Sequence, residues 1–235
     1  MLSLTDVHSG YGRASAVRGV DLDVAPGELV LIVGPNGTGK TTLLRTIAGF
    51  LKPSQGSIIF DGRSIVRASP EALARRGLRL ILAGHRVFPE LSVSDNLALA
   101  KLSLADRPSY AKRVETVLEM FPILSERLRQ PARDLSGGQQ QYLALAQAFV
   151  SNPRVLLCDE PSLGIASGLV RSILEFLREL ASRGVAIVVV EQAVEAALEF
   201  ADRVVVLRQG VIVAEGPPAE FDRDRLRDLF LGAGR

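Results

Sequence analysis

The sequence predicts an α/β fold built on a mainly parallel sheet, with an antiparallel β subdomain at its N-terminal edge and an inserted α-helical subdomain. Three observations carry that reading. Short β-branched runs alternate with longer helical patterns, as in strands joined by crossover helices. The apolar run Leu29 to Val33 leads directly into a glycine-rich loop and then a helical pattern at Thr42-Leu43-Leu44-Arg45. From about Val87 to Ser136 the pattern turns helical.

Taken in order, Val20, Leu22 and Val24 alternate with Asp21 and Asp23, the period-2 signature of a strand with one wet face, and Pro26-Gly27 turns the chain into Leu29 to Val33. Two helices are predicted at Val93 to Leu104 and Tyr110 to Phe121, joined through Asp106, Arg107 and Pro108. A third runs from Gln140 to Val150, and Val155 to Asp159 reads as a strand ending in acid. Strands resume at Val185 to Val190 and Val204 to Leu207, and a Gln209-Gly210 hairpin turn leads to Val211 to Val213.

Composition narrows the function classes. Of 235 residues, 47% are hydrophobic and 23% charged, which is globular usage and excludes disorder for the bulk of the chain. The single cysteine, Cys158, cannot form an internal disulfide, and His8 and His85 are too far apart for a Cys/His metal module. The apolar runs are strand-sized, short of the roughly 20 residues that span a bilayer, and no secretory signal is visible. These features predict a cytoplasmic protein. A net charge of +2 with no basic cluster gives no support to nucleic-acid binding.

The chemistry concentrates in three motifs. Gly34-Pro35-Asn36-Gly37-Thr38-Gly39-Lys40-Thr41 has the phosphate-loop pattern between a strand and a helix, and with Thr42 it forms the candidate phosphate-binding set. Glycines allow backbone N–H groups to converge on phosphate oxygens at a positive helix end. Lys40 is expected to reach the β- and γ-phosphates, and the Thr41 hydroxyl to ligate Mg²⁺. This motif alone is shared by GTPases, kinases and motor ATPases, although a guanine-reading Asn-Lys-x-Asp is absent. The second motif is the strand end Asp159-Glu160, with Asp159 expected in the Mg²⁺ shell and Glu160 as the carboxylate that polarises a water. The third is Ser136-Gly137-Gly138-Gln139 after Leu135, a capped, glycine-exposed helix start that makes a second anion-binding surface. One chain can use both anion surfaces on one nucleotide only by pairing with another copy.

In this order the motifs resemble the Walker A loop, signature and Walker B strand of the ATP-binding cassette (ABC) ATPases, over essentially the whole chain. The resemblance implies a P-loop NTPase core over about 1–86 and 152–235, a helical signature subdomain over about 87–151, and a head-to-tail dimer that sandwiches ATP. It also implies that Tyr11 lies under the adenine ring and that Ser162-Leu163-Gly164 is a dimer-contacting D-loop. The phrases Arg86-Val87-Phe88-Pro89, Asp159 to Gly164, Val190-Glu191-Gln192 and Phe230-Leu231-Gly232 resemble the second ATPase subunit of branched-chain amino acid importers. On that likeness Gln192 takes the place of the γ-phosphate-sensing His. Ala83 stands where the family carries Gln or Glu, and Ser167 where the branch carries Pro. The resemblance further implies permease subunits docked near Val87, Phe88 and Leu91, a place on the inner face of the cell membrane, and no contact with the transported solute. Ala83 and the missing His leave open a degenerate ATP-binding gating subunit, and the solute could differ.

Overall fold

The computed structural model describes residues 1–12, 14–84, 87–103 and 109–232. His85, Arg86, Leu104, Asp106, Arg107 and Pro108, named above, lie outside the described residues. Two sheets form. The first is antiparallel, in the order β2-β1-β4-β5, from β1 (Leu2–Tyr11), β2 (Ala14–Val24), β4 (Gln55–Phe60) and β5 (Arg63–Ser64). The period-2 pattern around Val20 thus marks β2, and β1 is the strand that pairs with it. β1 reads poorly from sequence because it is bulged: Asp6 adopts φ 49°, and its N–H donates to Asp21 Oδ1 at 2.8 Å. Opposite the bulge, a Cβ on Gly56 would lie 2.2 Å from the Asp6 carbonyl oxygen, so only glycine fits there.

The second sheet has six strands in the order β10-β9-β3-β8-β7-β6: β3 (Leu29–Val33), β6 (Leu78–Ile81), β7 (Val155–Asp159), β8 (Ala186–Val190), β9 (Arg203–Arg208) and β10 (Val211–Gly216). All pairs are parallel except β9 with β10. That hairpin turns at Gln209 and Gly210, φ 49° and 83°, the double left-handed geometry that the Gln-Gly pair signals. Every residue of β3, β7 and β8 is buried, as both-faced coverage of a parallel sheet requires. Leu29, Leu31 and Val33 face one core cluster while Val30 and Ile32 face the other.

Helix α1 (Lys40–Ile47) follows β3, and α2 (Pro70–Arg75) precedes β6. Between β6 and β7 lie α3 (Val93–Ala98), α4 (Ser109–Met120), α5 (Pro122–Ser125) and α6 (Gly137–Val150); α7 (Ser167–Ser182), α8 (Val194–Leu198) and α9 (Arg223–Leu231) follow. The sequence pattern ran α3 too long, because the chain tightens to a 3₁₀ turn over Leu99–Ser103. At that point Gln147 Nε2 of α6 donates to both the carbonyl and the side-chain oxygen of Asn96. Helix α6 begins earlier than the pattern predicts, at Gly137 rather than Gln140, because Ser136 caps it.

Leu31 sits at the centre of β3 with no exposed surface. Leu31→Ala should cost about 2–5 kcal/mol. A thermal melt should show this as a drop of roughly 4–20 °C in Tm; an unchanged Tm would mean that the strand is not the packed centre of the sheet.

Candidate active site

Parallel pairing sets Ile32 of β3 opposite Val190 of β8, and Val190 opposite Asp159 of β7. The loops leaving Val33, Asp159 and Val190 therefore start side by side at one edge of the sheet, where open α/β sheets place their sites. The first of these loops is held from both sides. Gly34 adopts φ +154°, and a Cβ there would lie 2.0 Å from the Leu207 carbonyl oxygen. Gly39, the left-handed N-cap of α1, faces the Ala16 carbonyl oxygen as closely, at 2.2 Å from a built Cβ. Thr38 Oγ1 donates to the Pro35 carbonyl at 2.9 Å, and Gly210 N–H donates to the Thr38 carbonyl at 3.0 Å.

Lys40 is buried, and its Nζ donates to the carbonyls of Gly34 at 2.6 Å and Pro35 at 2.9 Å. Burial lowers its pKa, while the nearby carboxylates of Glu160 and Asp159 act in the opposite sense. Thr41 Oγ1 donates to Asp159 Oδ1 at 3.1 Å. Burial pushes the Asp159 carboxyl above its ordinary range; the Thr41 hydrogen bond opposes that, and the Glu160 charge adds to it. Glu160 has left-handed backbone at φ 48°, its N–H donates to the Val190 carbonyl at 2.9 Å, and its Oε2 accepts from Gln192 Nε2 at 2.8 Å. Asn36, Gly37, Lys40, Thr41, Glu160 and Gln192 line one cavity of about 240 Å³.

The remaining candidates stand apart from that cavity. Thr42 is buried in the first turn of α1. Tyr11 ends β1 with its ring half exposed, and its hydroxyl accepts from Arg45 Nη1 at 3.1 Å. Ser136 caps α6 in a reciprocal box: Gln139 N–H donates to Ser136 Oγ at 3.4 Å, and Ser136 N–H donates to Gln139 Oε1 at 3.0 Å. A Cβ on Gly138 would lie 2.7 Å from Leu169 Cδ1 of α7, so a side chain there requires that leucine to shift. Gly137 is exposed. Ala83 lies in the turn after β6 and offers only a methyl group. Ser167 is the first residue of α7, where proline's fixed φ would also suit.

Two residues of the site escape a motif reading. Arg45 of α1 donates to the Tyr11 hydroxyl, a contact separated by 34 positions. Glu191, buried directly after β8, is named in the Val190-Glu191-Gln192 phrase but given no role by it: an acid at the end of an apolar run reads as a solvated strand end.

Comparison with known proteins gives the same picture. The family model described as ABC transporter matches residues 17–163, more than half of the chain. The high-affinity branched-chain amino acid transport ATP-binding protein BraG of Pseudomonas aeruginosa is 39% identical over 99% of this chain and 100% of its own length. The Fe(3+) ions import ATP-binding protein FbpC of Mesorhizobium japonicum is 38% identical over 98% of this chain, which spans 65% of that longer protein. Among solved structures, the dimeric bacterial ABC transporter cassette MJ0796 superposes with TM-score 0.80 at 27% identity, covering 93% of this chain and 99% of the other.

The loop geometry makes a graded prediction for nucleotide binding. Gly34→Ala drives a Cβ into a backbone carbonyl and should weaken ATP binding roughly tenfold or more. Gly37→Ala meets nothing within 4 Å, so it should cost only the left-handed backbone penalty of about 1–2 kcal/mol. Titration with a fluorescent ATP analogue checks the order; equal affinities for the two variants would remove the steric account of the loop.

Proposed function

The chain belongs to the ABC transporter family of ATPases, and we propose that it is the ATP-hydrolysing subunit of an importer for branched-chain or related amino acids. The observation that carries the catalytic part is the chain of contacts around one cavity: Lys40, Thr41 with Asp159, and Gln192 with Glu160. In this reading the N–H groups of residues 34–41 and Lys40 Nζ hold the phosphates, with Thr42 continuing the set into α1. Glu160 accepts the proton of the attacking water. The water oxygen bonds to the γ-phosphorus as the bond to the β–γ bridging oxygen breaks, giving ADP and phosphate. Gln192 donates a hydrogen bond and fixes the Glu160 carboxylate, but its neutral amide cannot take the proton.

Mg²⁺ fits the donor set. Thr41 Oγ1 and Asp159 Oδ1 are adjacent hard oxygens, and a desolvated carboxylate is relieved by a cation. Thr41 and Asp159 would hold the ion, which when bound neutralises charge developing on the β- and γ-phosphate oxygens.

The dimer follows from the second anion surface. The N-terminus of α6, with Ser136, Gly137, Gly138 and Gln139, does not line the Lys40 cavity. A head-to-tail second cassette would bring its own copy to the bound ATP, and the dimeric cassette this chain resembles supports pairing of two cassettes. Residues 87–151 then form the signature subdomain, inserted between β6 and β7 of a core made by 1–86 and 152–235.

For the permease, Phe88 is 57% exposed. It rims a groove of about 350 Å³ with Leu80, Ile81, Leu82, Leu99 and Ala144. Val87 instead packs on the core, and Leu91 is half-buried. No helix among the described residues is long and apolar enough to cross a membrane, so the proposed place on the inner membrane face requires that partner. The amino-acid assignment rests on the end-to-end match to BraG together with the Glu191-Gln192 and Phe230-Leu231-Gly232 phrases. Co-purification with the co-expressed permease and identification of the bound solute tests it; a metal or oxyanion in that complex would overturn it.

Glu160→Gln should preserve ATP binding, cut turnover roughly 100-fold or more, and accumulate a nucleotide-bound dimer on size-exclusion chromatography with ATP. Wild-type turnover in that variant would take Glu160 out of its role. Tyr11→Ala should weaken ATP affinity by roughly 5- to 150-fold if the ring stacks on adenine, the range given by 1–3 kcal/mol of stacking. Tyr11→Phe, which loses only the bond from Arg45, should bind nearly as wild type; equal titration curves for Ala and wild type would show that the ring only packs.

A further inference from the structure

We propose that Glu191 is a positioning residue for hydrolysis, a buried clasp that ties the turn after β7 to the turn after β8 and so holds Gln192 against Glu160. The proposal rests on the roles assigned above to Glu160 and Gln192. Glu191 is 2% exposed. Its Oε1 accepts from Ser162 N–H at 2.9 Å, and its Oε2 accepts from Ser162 Oγ at 2.7 Å and from Gln192 N–H at 3.1 Å. Those donors come from two loops, and Ser162 stands 29 positions before Glu191 in sequence.

A carboxylate taken out of water is costly unless charge-assisted hydrogen bonds satisfy it. None of the ion pairs among the described residues involves Glu191. Its stabilisation comes from the loop donors, and the loops are in turn fixed by it. A core-filling role alone would be served better by an apolar side chain, as at the preceding five positions of β8. What the acid adds is direction. Ser162 lies two residues beyond Glu160, whose left-handed φ of 48° is a conformation that persists only where the surroundings impose it. Gln192 is the next residue after Glu191, and its side chain reaches Glu160 Oε2 at 2.8 Å. One carboxylate thus sets the backbone on both sides of the Gln192–Glu160 contact.

Because the clasp touches neither the phosphate loop nor Tyr11, its loss should act on the chemical step and leave nucleotide affinity largely intact. Glu191→Gln replaces one acceptor oxygen by an N–H₂ group facing donors, so at least one of the three bonds is lost. Steady-state ATPase and equilibrium ATP binding on the full chain should show kcat reduced roughly 10- to 100-fold, the rate equivalent of one hydrogen bond to a charged group. ATP affinity should stay within about threefold of wild type. Ser162→Ala removes only the hydroxyl contact, keeps the fold's backbone bond, and should lower kcat by a smaller factor at unchanged affinity. The double variant should be no slower than Glu191→Gln, since both act on one contact. Wild-type kcat in both single variants, a fall of affinity in step with kcat, or multiplying effects in the double variant would each overturn the proposal. If Glu191→Gln fails to fold, Ser162→Ala decides by the same split between kcat and affinity. Glu160→Gln is measured alongside. Normal turnover there removes the hydrolytic reading and this clasp with it, whereas an inactive Glu160→Gln beside an unaffected Glu191→Gln removes the clasp alone.

Discussion

The register of three buried parallel strands is the constraint on which the site depends. Ile32, Val190 and Asp159 lie in one row across β3, β8 and β7, and the loops around the Lys40 cavity leave at Val33, Val190 and Asp159. A slip of one residue in β7 would bring Glu160 to Thr41 and turn Asp159 to the other face of the sheet. Burial cannot prevent that slip. All three strands are apolar on both faces, so no solvent-facing alternation distinguishes one register from the next. Polar groups at the strand ends do so instead. Glu160 N–H extends the ladder to the Val190 carbonyl, and Thr41 meets Asp159. At the opposite edge Leu29 N–H donates to Asp202 Oδ2 at 2.8 Å, with Arg178 on the same oxygen at 2.7 Å. The functional residues therefore also specify the pairing that positions them.

A second dependence runs through the β9–β10 hairpin. Its first strand carries Leu207, whose carbonyl oxygen allows no Cβ at position 34, and its turn supplies the Gly210 N–H that holds Thr38. The same turn residue accepts from Arg18 N–H of β2 at 2.7 Å. The phosphate loop is thus wedged between the antiparallel sheet and the far edge of the parallel one, and its glycines answer to backbone atoms from both. That explains why a loop of such composition holds a single conformation, whereas glycine-rich segments free of such contacts pay a large entropy cost to order.

The sequence made the local parts legible and left the tertiary ones dark. Gly34 to Thr41, Asp159-Glu160 and Ser136 to Gln139 are readable because each is a contiguous pattern whose neighbours are its own structural context: strand, loop, helix. The Gln209-Gly210 turn is readable for the same reason. Strand β1 is not, since its bulge at Asp6 breaks the alternation that identifies β2. Helix α3 gives way to a 3₁₀ turn where Gln147, far along the chain and invisible to any window around Asn96, bonds the Asn96 carbonyl. Arg45 and Glu191 follow the same rule. Each makes a long-range contact, Arg45 to Tyr11 and Glu191 to Ser162, that no local pattern reveals.

The proton accounting of the proposed reaction gives these silent residues their weight. With Gln at position 192, no imidazole lines the cavity among the described residues, and Ala83 in the turn after β6 offers only a methyl group. The proposed reaction assigns Lys40 to the phosphates, and Asp159, bonded to Thr41, to the metal. Of the described cavity-lining groups that leaves Glu160 to receive a proton, and its Oε2 accepts from the neutral Gln192 amide at 2.8 Å. Among the described residues that is the side-chain contact on the Glu160 carboxylate, so in the proposed reaction whatever holds the backbone of that contact bears on the base. The backbone on both sides is held by one buried acid. An importer subunit of this kind gains a plain consequence from that economy: a displacement of the 162–164 turn by a partner cassette would be felt at the base through two hydrogen bonds and no intervening helix, with the sheet itself unmoved.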